Sequence, residues 1–273
     1  MWRLTMVRLA GAMLLLSLGV ATASASTAAE LEFAAIRKEI PQNWWDGGWD
    51  QRAALESFLQ RYPSETLLCS KAQYWLGAYF YSIRDYTQAL DAFKLVVASY
   101  PTTPDAAQAQ FEMGQLYRNA LEDYDLAAQC YQKVINTYPK NNLIPISYVM
   151  LGRTYRDKGD TAKAVAAWQK VLSDFPWADR QRVEAAIELG DLALSQNNAR
   201  QALSHYKQAY LVAPASDLNL TNWVLDKIYT GFKHLDLSVV RANLFLKFQK
   251  FGPEGEDGVS QTADDLSNPL AEF

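Results

Sequence analysis

The chain has 273 residues, 49% hydrophobic and 21% charged, so it carries enough apolar material for a sizeable core and an ordinary polar surface. Its formal net charge is −4 and it holds two histidines. That balance argues against a nucleic-acid binder, and the histidine count against a histidine-rich metal centre.

Taken in chain order, residues 1–25 stand apart from the rest. Arg3 and Arg8 precede the apolar run LAGAMLLLSLGVA, a small-x-small site follows at Ala23-Ser24-Ala25, and no acid occurs before Glu30. This is the layout of a secretory signal peptide, and the apolar run is too short to cross a bilayer comfortably. The remainder is therefore expected to be exported, periplasmic or cell-envelope associated, with no membrane span after cleavage. No cysteine stands at the cleavage site to carry a lipid.

Residues 26–62 read as an N-terminal cap. A helix is predicted over 28–40 and another over Gln51–Tyr62, with NWWDGGWD, Asn43 to Asp50, between them. Trp44, Trp45 and Trp49 admit two readings. They plug the open end of a helical array, or they form a platform that stacks on the sugar rings of a cell-wall glycan. Exposed tryptophan is costly, which favours the plug.

From Pro63 the chain repeats itself. Prolines at 63, 101, 139, 176 and 214 are spaced 38, 38, 37 and 38 residues apart. Each unit has a Gly (Gly77, Gly114, Gly152, Gly190), then an Asp or Asn (Asp85, Asp123, Asp160, Asn198). Four residues on comes an Ala (Ala89, Ala127, Ala164, Ala202), and four further an aromatic (Phe93, Tyr131, Trp168, Tyr206). One extra residue before Asp123 is the single slip. Apolar spacing of three and four on both sides of the Asp/Asn predicts two amphipathic helices with a tight turn between them. The Asp or Asn is expected to cap the second helix, and Asp85–Gln88 and Asn198–Gln201 have capping-box spacing. Gly and Ala are expected where helices cross closely, with the aromatic filling the gap towards the next unit. Proline stops the second helix. Thr103-Pro104-Asp105 is expected to place a hydroxyl cap before a proline at the first helical position.

Gly, Ala, aromatic and Pro at these offsets resemble the tetratricopeptide repeat, whose period is about 34 residues. The units here are three or four residues longer. With their Tyr-Pro endings behind a signal peptide they are similar to repeats of bacterial cell-envelope proteins, among them the Tol–Pal coordinator and the helical lipoprotein of the barrel-assembly machine. The chain lacks the lipid-anchor cysteine of the latter and the long N-terminal coiled coil of the former. The resemblance spans about residues 50–214. It implies an all-α, right-handed superhelix of antiparallel helix pairs with four repeats over 63–214 and a divergent capping pair over 215–252. It also implies a non-catalytic interaction scaffold that takes protein partners of the cell envelope in its concave groove. Mapped onto this chain, Tyr74, Tyr81, Phe111, Gln115, Arg118, Arg153 and Arg156 line that groove, the arginines suiting acidic or carboxylate groups. The family's carboxylate clamp needs a lysine and asparagine set these residues do not match.

Little else points to chemistry. Cys69 and Cys130 fall in helices that are not neighbours on this reading, so two buried free thiols are expected. His205 and His234 have no carboxylate or cysteine at ligand spacing, and no phosphate loop or nucleophile elbow occurs. No metal, cofactor or catalytic residue is predicted. Residues 253–273 hold six acids and no base among Gly, Ser and Pro, which predicts a disordered acidic tail.

Overall fold

A computed structural model describes residues 27–214 and 216–232, and every regular element among them is helical. The signal-peptide layout, His234, the second half of the C-terminal pair and the acidic tail lie outside the described residues. The helices are α1 (residues 27–38), α2 (Arg52–Arg61), α3 (Thr66–Ser82), α4 (Tyr86–Ser99), α5 (Pro104–Asn119) and α6 (Tyr124–Thr137), then α7 (Ile144–Asp157), α8 (Thr161–Asp174), α9 (Asp179–Ser195), α10 (Ala199–Val212) and α11 (Leu218–Phe232). A short 3-10 turn, Trp44–Asp46, lies between α1 and α2. The chain divides into two compact units, the first ending at Asn141 and the second beginning at Asn142.

In unit 1, α3 pairs with α4 and α5 with α6, while α4 packs on α5 and α3 touches α5. The core gathers Phe33, Leu55, Phe58, Phe93, Val96, Met113 and Leu116. In unit 2, α7 pairs with α8 and α9 with α10, α8 packs on α9, and α11 covers α9 and α10 through Leu220, Val224 and Ile228. First helices of neighbouring pairs therefore touch in each unit, and these contacts carry the candidate site.

The four turns inside the pairs share one mechanism. Asp85, Asp123, Asp160 and Asn198 each accept the backbone N–H three residues on, at 3.0 to 3.2 Å. Their own N–H groups donate backwards, to Phe80, Tyr117, Tyr155 and Ala193 carbonyls. Each capping residue thus also closes the preceding helix, so the reciprocal half of the expected capping box has no donor left. The residue before it takes a left-handed φ: Arg84 at 64°, Glu122 at 53°, Gly159 at 89° and Asn197 at 57°. Only one of the four is glycine, and the others hold a conformation L-residues disfavour. The extra residue before Asp123 lengthens that back-bond by one position rather than breaking it.

One expectation about packing is extended and one corrected. The repeat aromatic seats on the glycine of its own pair, and Phe93 also shares a buried cluster with Ala109 and Met113 of the next first helix. A Cβ on Gly77 would stand 2.5 Å from the Phe93 ring, one on Gly114 2.7 Å from Tyr131, and one on Gly190 2.5 Å from Tyr206; Gly152 meets Trp168 in the same way. The missing side chain is what lets the ring in. Thr103 occupies the N-cap position of α5 but makes no cap bond. Its hydroxyl donates to the Tyr100 carbonyl at 2.8 Å and pairs with the buried Ser70 hydroxyl at 2.7 Å. The hydroxyl ties the turn to α3 instead.

The first-helix faces as candidate partner-binding surfaces

The sequence-predicted groove residues divide between the two units. Tyr74, Tyr81, Phe111, Gln115 and Arg118 belong to unit 1, and Arg153 and Arg156 to unit 2. Tyr74 and Phe111 are each only 8% exposed. Phe111 packs edge-on against Tyr131 and Tyr74 against Phe93 and Trp75. They belong to the core, so the expectation that their rings offer free apolar area is narrowed to Tyr81, which is half-buried. Gln115 is engaged as well, because its side-chain carbonyl accepts from the Tyr131 hydroxyl at 2.6 Å. The Arg118 guanidinium donates to Asn119 at 2.8 Å.

Unit 1 instead brings forward residues the sequence reading passed over. Glu112, on α5, accepts from Gln108 at 2.7 Å and from the Tyr74 hydroxyl at 3.4 Å, both through Oε1. Burial raises its carboxyl titration above the ordinary range, with the Gln108 and Tyr74 donors partly opposing the rise. Burial and then the neighbouring Glu112 push the Tyr74 phenol well up, and the same two causes raise Tyr81. An acid at the face of two first helices thus has hydroxyl and amide neighbours, with no basic side chain among its hydrogen-bond partners.

The tryptophan segment folds over the start of the same face. Trp44 meets Trp75 and Tyr81 edge-on, and Trp49 meets Trp75 and Tyr79. The Trp49 indole N–H donates to the Trp44 carbonyl at 2.8 Å. Gly47, at φ 78°, lets the chain turn so close to α3 that a Cβ would stand 3.3 Å from the Ser82 carbonyl. Trp49 is 8% exposed and Trp45 56%, so two of the three indoles cap α3 and one faces outward.

In unit 2 the corresponding face is an ion-pair lattice. Arg153 donates to Glu188 at 2.5 Å and to Glu184 at 3.3 Å, and Arg156 pairs with the second oxygen of Glu188. Arg180 reaches Glu184 at 3.4 Å and Arg156 also meets Asp157 at 3.1 Å. Arg153 and Glu188 are 20% and 10% exposed, so this pair sits in a setting less screened than the open surface. The two arginines predicted to offer free donors to an acidic ligand already hold carboxylates of α9. Glu188 lies on the next first helix, two residues before its glycine and 35 and 32 residues beyond Arg153 and Arg156.

Further along α9, Asp191 accepts from the Tyr206 hydroxyl at 2.5 Å and from Lys227 of α11 at 2.8 Å. Both cysteines are free and buried, and burial raises the Cys130 thiol to about 11, so it is a poor nucleophile near neutral pH. Among the described residues no group of His, Cys, Asp and Glu is arranged to hold a metal ion, and no helix is long and apolar enough to cross a membrane.

Profiles of the tetratricopeptide repeat match residues 52–103, 108–141 and 149–218, together more than half of the chain. The chain belongs to the tetratricopeptide repeat family. Two solved structures share the fold. One is PilW, a widely conserved type IV pilus biogenesis factor, at 14% identity and a TM-score of 0.56, covering 84% of this chain and 96% of that one. The other is a double mutant of MamA (MamA RS-1 ArsTM), at 19% identity and a TM-score of 0.50, covering 70% and 97%. No curated protein matches the sequence. Tetratricopeptide repeats are interaction scaffolds, so protein partners follow from the family.

Proposed function

We propose that the chain is a non-catalytic scaffold of the cell envelope that holds extended segments of protein partners against its first-helix faces. The observation that carries the reading is the alternation of polar and aromatic side chains on successive first helices: Tyr81 and Glu112 in unit 1, and Arg153, Arg156 and Glu188 in unit 2. Tyr81, Glu112, Arg153 and Arg156, half-buried on a rigid helical support, suit the main-chain and side-chain groups of an extended peptide. The envelope setting draws on the signal-peptide layout of residues 1–25; the likeness to PilW bears on the fold.

The glycan alternative has weaker support, because Trp44 and Trp49 give their edges to α3 and leave Trp45 as the outward indole. Two experiments separate these readings. A photo-crosslinking residue placed at Tyr81 or Arg156 should capture envelope proteins, while one at the exposed Leu95 of α4 should not. Equal capture from all three positions would count against the face. Co-sedimentation with purified cell wall that is lost on Trp45→Ala would instead support the glycan platform. Fractionation of cells for the protein should find it beyond the inner membrane.

A further inference from the structure

Aligned on the repeat glycine, Glu112 and Glu188 occupy the same place, two residues before Gly114 and Gly190. Gln108 and Glu184 are likewise equivalent, six residues before those glycines. The two acids face different neighbours on the preceding first helix. The positions one and four residues after that helix's glycine are Arg153 and Arg156 in α7, and Ala78 and Tyr81 in α3. In unit 2 these arginines occupy both oxygens of Glu188. In unit 1 the same two positions supply a methyl group and a phenol. Gln108 and Tyr74 donate to Oε1 of Glu112, whereas among the described residues no hydrogen bond reaches Oε2.

We infer that Glu112 is a recognition point for a basic side chain, arginine or lysine, of an extended partner segment lying on the first-helix face of unit 1. The cation would approach Glu112 from the half-buried Tyr81 side, the place that corresponds to Arg156, since Ala78 is buried under Ile40 and Trp49. Unit 2 thus supplies the template: one carboxylate at this register accepts guanidinium groups on both oxygens. The aromatic surroundings fit the same guest, since Tyr81 lies near enough to feel the Glu112 charge and packs against Trp44, and cations favour ring faces. Burial, which raises the carboxyl titration of Glu112, has the matching consequence that an arriving cation stabilises its charged form. The inference rests on the proposed groove binding and adds the chemistry of one partner residue.

The test uses the full exported chain and synthetic decapeptide pools, acetylated and amidated at their ends. The central residue is fixed as Arg, Lys, Gln or Glu, and the other positions are randomised among uncharged residues. Binding is read by fluorescence polarisation. The wild type is expected to hold the Arg and Lys pools about tenfold more tightly than the Gln pool, the scale of one charge-assisted hydrogen bond. Glu112→Gln should reduce that preference to about twofold or less without lowering the thermal melt. Tyr81→Arg, which supplies the cation from within, should abolish the preference too. Glu122→Gln, in the exposed turn, should keep it. If the Arg preference survives Glu112→Gln, or if wild type binds the Arg and Gln pools alike, the inference is overturned and the groove reading stands. If no pool binds the wild type at all, the groove reading falls with it.

Discussion

The two units build the same backbone face and finish it with different chemistry. In unit 2 a lattice of Arg153, Arg156, Glu184 and Glu188 ties α7 to α9. In unit 1 the equivalent positions hold Ala78, Tyr81, Gln108 and Glu112, covered at one end by Trp44 and Trp49. The difference teaches that a repeat position has no role by itself. A glutamate two residues before the repeat glycine is a structural tie or an open acceptor according to what the preceding helix places opposite. The same pairing logic governs the seats below the face. Tyr131 and Tyr206 meet an acceptor one residue after their glycine, Gln115 and Asp191, whereas Phe93 carries no hydroxyl and needs none.

The seats should respond alike in both units and the faces unlike. The largest expected losses are at the seats. Phe93→Ala and Trp168→Ala, both fully buried, should each cost about 3–5 kcal/mol in denaturant unfolding. Trp168 should lie at the upper end, because its indole N–H donates to the Val149 carbonyl at 3.1 Å. Seats that differed by more than this range would undo the equivalence of the two units.

At the faces, Glu188→Ala should cost about 2–4 kcal/mol, since it strands two arginines in a partly enclosed site; the figure is reduced for the exposure of Arg156. Glu112→Gln should change neutral-pH stability by less than about 1 kcal/mol, in the stabilising direction, because it removes a desolvated charge and keeps an acceptor for Gln108. The pH course sharpens this contrast. Glu112 titrates above its unfolded value of 4.5, so the folded state holds the proton longer. Wild type therefore gains stability relative to Glu112→Gln as pH falls through the raised folded pKa, and the gain is complete below the unfolded one. A difference that widened with acidification would refute the assignment.

Smaller effects come from the turns. Asp123→Ala should cost about 0.5–2 kcal/mol through loss of its cap, with Asp91→Ala on the exposed side of α4 as the near-neutral control. Asp160, held below its ordinary titration by Lys163, adds stability that is present above its unfolded pKa and lost as pH falls through the folded one. Smallest of all, Gly159→Ala should lose about 1 kcal/mol at its left-handed φ, while Arg84→Gly should be neutral or gain a few tenths.

Much of the fold could be read from the chain before any coordinates. The proline spacing, the Asp/Asn before each second helix and the Gly–aromatic offset placed the four pairs, and their caps formed where expected. Local chemistry was enough there, because caps, turns and helix stops are settled within a few residues. In the segment Asn43–Asp50, Trp44 and Trp49 lie against α3 while Trp45 stays exposed, a division that no spacing along the chain distinguishes. The candidate face was less legible. Tyr74, Phe111 and Gln115 were chosen as groove residues, but rings and amides that point inward at one register are claimed by Phe93 and Tyr131 of their own pairs. Along the chain Arg153 and Arg156 look like free donors, because their carboxylates lie 31 to 35 residues away.

By itself, then, the sequence determined an array of antiparallel helix pairs, its register and its turn chemistry, since each of these depends on residues within one or two helical turns of one another. Only the tertiary structure decided that the aromatic seats on its own glycine, that Thr103 bonds to Ser70, and that Glu188 is met on both oxygens while the described partners of Glu112 meet Oε1 alone. Those outcomes turn on which side chains from separate helices arrive within hydrogen-bonding distance. Distances of that kind are fixed by packing rather than by any pattern along the chain.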